Sequence, residues 1–292
     1  MLWASQGKYY AANSILYADA VELPVEVINS KFAGIFAGIY LGTEMVLALI
    51  ASGVYFGYPD NADAIVFSLY SVVSLLSTFV MLGTSDLDEL GTWEWDTDEV
   101  VYQMGATARL LTEDVRILLM IPVQLTYGFV GSFVPYYIFG TVVNDSSNIG
   151  EEYMGVLTAV VVFAGAAIAA PAAYVAMKNG KHPAMLFGGL CFAVTGLVLY
   201  FAKDRVLSRW RVIIPYLFIY GMGRGIWENT NKAVVADLYI NDADQATTGF
   251  TVISFASGAA GAIGYFLFPY VLRSVAATLI FTLAMFGLMC YL

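Results

Sequence analysis

The chain has 292 residues, of which 60% are hydrophobic and only 12% are charged, and its mean hydropathy is +0.73. So few charges cannot cover the surface of a soluble globule of this length, so the composition indicates an integral membrane protein. The formal net charge of −10 and the lack of a polybasic cluster exclude a nucleic-acid partner and argue against a role in binding anionic lipids.

Eight apolar runs are long enough to cross a bilayer as helices. They lie near residues 32–57, 63–83, 115–140, 153–177, 183–202, 211–236, 247–270 and 273–292. A β-barrel is excluded because the runs are continuous and show no alternation of apolar and polar residues. The sequence therefore predicts an all-α membrane protein with about eight transmembrane helices, in the plasma membrane or an endomembrane.

The first span contains a carboxylate and a glycine repeat. Glu44 lies near its centre, where a charge is costly, so we expect it either to bond a neighbouring helix or to have a gating or proton-linked role. Gly34, Gly38 and Gly42 recur at every fourth residue, a spacing that favours close helix packing. We expect all three glycines to contact the alanine-rich face around residues 164–173 of the fourth span.

The connection at residues 84–114 is strongly acidic. Its carboxylates before the first basic residue, Arg109, are Asp86, Asp88, Glu89, Glu94, Asp96, Asp98 and Glu99. We expect a solvated linker between two helical bundles. A site for a cation or a basic partner is the alternative.

The other residues able to carry chemistry are scattered. Gln124 and Tyr127 place polar groups in the third span, where they either line a cavity or bond another helix. Cys191 and Cys290 both fall inside spans and His182 lies in a KNGKHP turn, so neither a disulfide framework nor a metal site follows. No nucleophile elbow, zinc-binding motif or phosphate-binding loop is present, so we expect no enzyme activity, cofactor or metal.

The sixth span carries the most informative pattern. Arg224, Glu228 and Lys232 recur at four-residue intervals and share one helix face with Trp227 and Asn231. A charge at the centre of a membrane helix costs roughly 2.5 to 3.5 kcal/mol, so this face is expected to border a protein interior or a wet cavity. We expect Arg224 and Glu228 to pair with each other or with the opposite wall. Lys232 lies about 12 Å beyond Arg224 and is expected to reach the membrane interface.

Four segments resemble a known family. These are LWASQGKYYAANS at the start, GIFAGIY on the first span, the KNGKHP turn, and GMGRGIWENTNKAVVADLY on the sixth span. Together they resemble the Unc-ninety-three-like, ion channel regulatory group of the major facilitator superfamily. That group commonly has an acidic residue soon after the second glycine of the last motif, where this chain has Arg224. A proton or cation role carried over from the family is therefore in doubt.

The resemblance implies a partial major-facilitator-type bundle. The eight spans would match helices five to twelve of a twelve-helix fold, with residues 1–10 as the tail of helix four. Residues 1–83 would end an incomplete N-terminal half, residues 84–114 would form an acidic cytosolic linker, and residues 115–292 would form the C-terminal six-helix half. The sixth span would then be a wall of the central cavity.

Two functions remain open. In the first, the chain is a fragment of a solute transporter of unknown substrate, in which Arg224 binds an anionic group and Glu228 or Glu44 changes protonation. In the second, it is a non-transporting accessory protein that regulates an ion channel or escorts another membrane protein, as the resemblance implies for the better-known members. Separate partners for Arg224 and Glu228 would favour transport, whereas mutual neutralisation would leave little free charge for a substrate.

The partners follow from these two alternatives. The lipid bilayer is common to both, a small solute or a proton belongs to transport, and a membrane-protein partner belongs to regulation. We expect no solute transport by this chain alone, because alternating access needs two complete bodies that rock about a central site.

Overall fold

The computed structural model describes residues 2–83, 97–144, 149–240 and 242–291. These residues contain α-helices, short 3₁₀ and π segments, and no strand, which confirms the all-α prediction. The α-helices are α1 (Leu2–Val21), α2 (Val25–Gly57), α3 (Ala62–Leu82), α4 (Thr97–Glu113), α5 (Val115–Phe133), α6 (Met154–Asn179), α7 (His182–Phe201), α8 (Asp204–Leu207), α9 (Trp210–Ile226), α10 (Lys232–Leu238), α11 (Ala243–Leu267) and α12 (Arg273–Tyr291).

Seven helical segments of the described residues are long and apolar enough to cross a membrane. They are Val25–Gly57, Pro59–Met81, Val115–Val143, Met154–Asn179, His182–Phe201, Gln245–Tyr270 and Arg273–Tyr291. The chain is therefore a multi-pass integral membrane protein, as its composition predicts. The predicted span at 211–236 is not among the seven. It forms α9, a π-helical turn at Trp227–Asn231 and α10.

The bundle is held together by long helix pairs. Helix α2 packs along α6, α6 along α9, and α7 against both α9 and α12. Helix α5 lies against α11 and α12, and α1 contacts α2 and α11. Helices α6 and α9 approach closely where Gly165 faces Gly225, since a Cβ atom at Gly225 would overlap the backbone of Gly165. Small residues thus permit the backbone contact that the paired helices require.

Of the three glycines predicted to contact α6, only Gly34 does so. A Cβ atom added at Gly34 would lie 2.7 Å from the Cβ of Ala173, whereas Gly38 and Gly42 have no neighbouring atom within 4 Å of that position. The prediction is wrong for Gly38 and Gly42. Residues four apart on a helix drift by about 40° per step, so the stripe turns away from α6 within two turns.

The acidic connection is partly helical. Its second part forms α4, which packs against α5 and α11. Residues 84–96 of the predicted linker lie outside the described residues. The division into residues 1–83, 84–114 and 115–292 stays a prediction.

Among the seven membrane segments found in the described residues, the segment that contains α3 has the smallest buried fraction. Only 6% of its most apolar stretch is buried inside the protein, compared with 28 to 50% for the other six. Its neighbour within the bundle is the end of α2. The remaining circumference is available to lipid or to another membrane protein.

Candidate functional site

The site is built around the break between α9 and α10. At Trp227–Asn231 the backbone forms a π-helical turn, which inserts an extra residue into the helix and re-aims the side chains that follow. The turn is held by two buried amides. Asn229 Nδ2 donates to the Ala169 carbonyl of α6 at 2.6 Å, and Gln124 Nε2 of α5 donates to Asn231 Oδ1 at 3.0 Å. The turn is therefore fixed from both sides.

Arg224 pairs with Glu44 rather than with Glu228. Its Nη1 and Nη2 atoms donate to Glu44 Oε1 and Oε2 at 2.9 and 2.6 Å, a bidentate arrangement that joins α9 to α2. The side chains are 17% and 31% exposed, so the pair lies at the edge of the protein interior. The partner of Arg224 on the opposite wall is thus Glu44.

Glu228 has its own set of partners. The Tyr127 hydroxyl donates to Glu228 Oε1 at 2.6 Å, and Lys232 Nζ lies 3.3 Å from Glu228 Oε2. The Tyr127 ring stacks on Trp227 with centroids 4.8 Å apart, which fixes the direction of the hydroxyl. Lys232 also lies over the Phe36 ring, 4.3 Å from its centroid. Glu228, one turn earlier, therefore holds the Lys232 ammonium group by an ion pair, and the interfacial position of Lys232 stays a prediction.

A cavity of about 350 Å³ opens beside the π turn. Helices α1, α2, α5, α10 and α11 and the turn itself contribute to its wall. The lining residues are Tyr10, Ala33, Phe36, Gln124, Tyr127, Trp227, Glu228, Asn231, Lys232, Phe250, Ile253, Ser254, Ser257 and Gly258. The structure therefore brings Gln124, Tyr127, Glu228, Asn231 and Lys232 to one cavity.

Arg224 and Glu44 lie outside the lining of this cavity. Glu44 borders a neighbouring groove of about 440 Å³ on the outer side of α2, together with Phe36 and Tyr40. Phe36 lines both spaces.

Part of the cavity wall was missed by the sequence reasoning. Tyr10 and Phe250 make an edge-to-face contact on its far side, with centroids 6.3 Å apart. Ser254 and Ser257 add hydroxyls from α11. The three-residue spacing of these serines within an apolar span places both on one helix face, and this was the available signal.

The charges of the site cancel. Arg224 and Lys232 supply two positive charges, and Glu44 and Glu228 supply two negative charges, each within an ion pair. Arg224 and Glu228 have separate partners, the arrangement expected to favour transport. Both are nevertheless neutralised by side chains of the protein, so neither charge is left uncompensated for a ligand.

A second polar cluster lies one turn beyond the site. Asp237 Oδ2 forms an ion pair with Lys181 in the turn between α6 and α7, and Asp237 Oδ1 accepts from Asn29 Nδ2 of α2 at 2.8 Å. Gly180, with a φ of +78°, ends α6 in a conformation that favours glycine and so positions Lys181. Burial raises the pKa of Asp237 and lowers the pKa of Lys181. The sequence reasoning missed this cluster, although an aspartate at the end of an apolar run was a signal for a partnered carboxylate.

The described residues contain no group of three or more histidine, cysteine or acidic side chains that could hold a metal ion. Cys191 is buried and Cys290 half-buried, and neither forms a disulfide bond.

Comparison with known proteins gives one match. The family model described as UNC-93, ion channel regulatory protein, matches residues 1–292. No curated protein and no solved structure matches the chain. The match covers every element described above.

Proposed function

We propose that this chain, which belongs to the UNC-93 family of ion channel regulatory proteins, is a non-transporting accessory subunit that regulates an ion channel within the membrane. The observation that carries the proposal is the internal pairing of the site's charges. Arg224 is bound by Glu44, and Glu228 is bound by Lys232 and Tyr127. Such a site is suited to holding helices in place.

A charged solute that binds at this site would have to displace a side chain from an ion pair. Removing one member of a buried ion pair leaves the other charge uncompensated, which costs roughly 3 to 5 kcal/mol. A solute that binds Arg224 would have to replace both hydrogen bonds from Glu44. The pair therefore opposes a binding role for Arg224 and supports a structural role that joins α9 to α2.

A regulator needs a surface that another membrane protein can contact. Helix α3 supplies one, since its apolar side chains point away from the bundle over most of its length. Phe67, Leu75, Phe79 and Val80 are all exposed on this helix. We propose that the channel contacts this helix.

Electrical recording of co-expressed channels tests the proposal. The chain is expressed in oocytes alone and with each of a set of cation and anion channels, and whole-cell currents are measured by voltage clamp. We expect the current of at least one channel to change and the chain alone to carry none. Phe79→Ala should weaken the change, whereas Phe255→Ala on α11, a matched control of similar exposure (73% against 67%), should not. Unchanged currents for every channel would overturn the proposal.

A solute transporter is the second candidate, and the cavity is the observation that favours it. Its volume of about 350 Å³ lies within the range of small-molecule sites, and its lining combines aromatic walls with a few polar groups. Flux of labelled solutes into proteoliposomes distinguishes the two candidates. Saturable uptake that Glu228→Gln abolishes would establish transport, and uptake equal to that of protein-free vesicles supports the accessory role.

A further inference from the structure

A basic loop connects α7 to α9 at one end of the bundle. It carries Lys203, Arg205 and Arg209, and Arg211 follows in the first turn of α9; all four are exposed. Arg273, at the start of α12, lies beside this loop because it forms an ion pair with Asp204. We call Lys203–Arg211 together with Arg273 the basic loop. Its formal charge is five positive groups minus one carboxylate, or +4, in a chain whose net charge is −10.

Asp204, the carboxylate of the basic loop, already has two partners. Asp204 Oδ1 accepts from the Tyr137 hydroxyl at 2.9 Å as well as from Arg273. The ion pairs found within the described residues include none formed by Lys203, Arg205, Arg209 or Arg211. Four cations are thus presented together without an internal counter-charge in that part of the chain.

The basic loop is held close to the helix ends. Leu207 is fully buried and Ser208 is buried, so the middle of the loop is anchored to the core. Phe201, which precedes the loop, is 75% exposed, and Trp210, which follows it, packs edge-to-face on Tyr153 with centroids 5.1 Å apart. Aromatic side chains at helix ends mark the depth of lipid headgroups. The cations therefore lie at that depth rather than far out in water.

We infer that the basic loop binds the phosphate groups of anionic lipids at the bilayer surface. Basic clusters next to a membrane span attract anionic headgroups, and guanidinium groups match phosphate oxygens by paired hydrogen bonds. An acidic segment of another protein is disfavoured because Leu207 and Ser208 keep the loop against the bundle at headgroup depth. The sequence reasoning found no polybasic cluster because apolar residues interrupt the run and Arg273 is distant in the chain.

Lipid selectivity of the purified full chain tests the inference. The protein is placed in nanodiscs of phosphatidylcholine containing phosphatidylglycerol, and the lipids retained by the released protein are counted by native mass spectrometry. The test variant is Arg205→Gln/Arg209→Gln/Arg211→Gln. The control is Lys31→Gln/Arg109→Gln/Lys178→Gln, which removes the same charge from other exposed positions. The charge-conserving variant replaces the three loop arginines with lysine.

The inference predicts a loss of anionic-lipid preference in the test variant alone. Each cation near a membrane surface is worth about fivefold in affinity, so three substitutions should lower the preference about a hundredfold. The lysine variant should keep most of the preference, and raising salt from about 0.15 M to 1 M should weaken it, since the Debye length falls from about 8 to 3 Å. An unchanged preference, or an equal loss in the control, would overturn the inference.

Discussion

Glu44→Gln should destabilise the protein by separating α2 from α9. The substitution keeps the size of the side chain but removes the charge that Arg224 binds at 2.9 and 2.6 Å. Breaking a fully buried pair costs roughly 3 to 5 kcal/mol, and an exposed pair contributes about 0 to 1 kcal/mol. The two side chains are 17% and 31% exposed, which places the expected cost between these limits, at about 2 to 3 kcal/mol.

Thermal unfolding in detergent, followed by size-exclusion chromatography, measures this cost. One kcal/mol corresponds to about 2 to 4 °C for a chain of this order of length, so Glu44→Gln should lower Tm by about 4 to 12 °C. Asp60→Asn is the control, because it removes an exposed carboxylate beyond the end of α2. Its Tm should stay within about 2 °C of the wild type, as expected for a surface substitution.

A double-mutant cycle separates the ion pair from other effects. Glu44→Gln combined with Arg224→Gln should cost less than the sum of the single changes, because the second substitution removes the uncompensated charge left by the first. Additive costs, or a Tm for Glu44→Gln equal to that of Asp60→Asn, would refute the reasoning.

Three further predictions concern packing and the loop ends of the helices. Gly225→Ala should abolish folded surface expression because its Cβ would overlap α6, whereas Gly38→Ala, with open space around it, should be tolerated. The Arg116 guanidinium and backbone N–H lower the pKa of Asp114 to about 2, so this carboxylate contributes stability above its usual pKa near 4 that is lost as the pH falls through about 2. Asp114→Asn should remove that contribution in acid unfolding curves. Lys181→Gln should lower Tm by at least about 4 °C, because Asp237 would lose its cationic partner. Lys178→Gln, which changes an exposed neighbour, should leave Tm unchanged. Equal effects of the two substitutions would contradict the assignment of the Lys181–Asp237 pair.

Much of the fold follows from patterns that are local in the sequence. Continuous apolar runs predict the helices, because a bilayer leaves few alternatives for an apolar segment of that length. The division of the span at 211–236 is different. The π turn at Trp227–Asn231 depends on amides from α5 and α6, and contacts with other helices cannot be read from the periodicity of one span.

The partners of the site residues also could not be predicted from the periodicity of one span. The four-residue spacing of Arg224, Glu228 and Lys232 predicts their shared face, yet it does not identify the partner of each charge. Glu44 is 180 residues away from Arg224 in the sequence, and its position depends on how α2 crosses α9. Lys232 was expected at the interface because long side chains often extend there. The structure adds that Lys232 pairs with Glu228, one turn away, a contact that the spacing alone does not establish.

Recording of a responsive channel in planar bilayers, with and without the purified chain, tests the central claim most directly. The accessory role predicts that adding the chain changes the open probability of the channel, while the chain alone gives no current and no solute flux. An unaltered open probability, together with saturable flux through the chain alone, would contradict it.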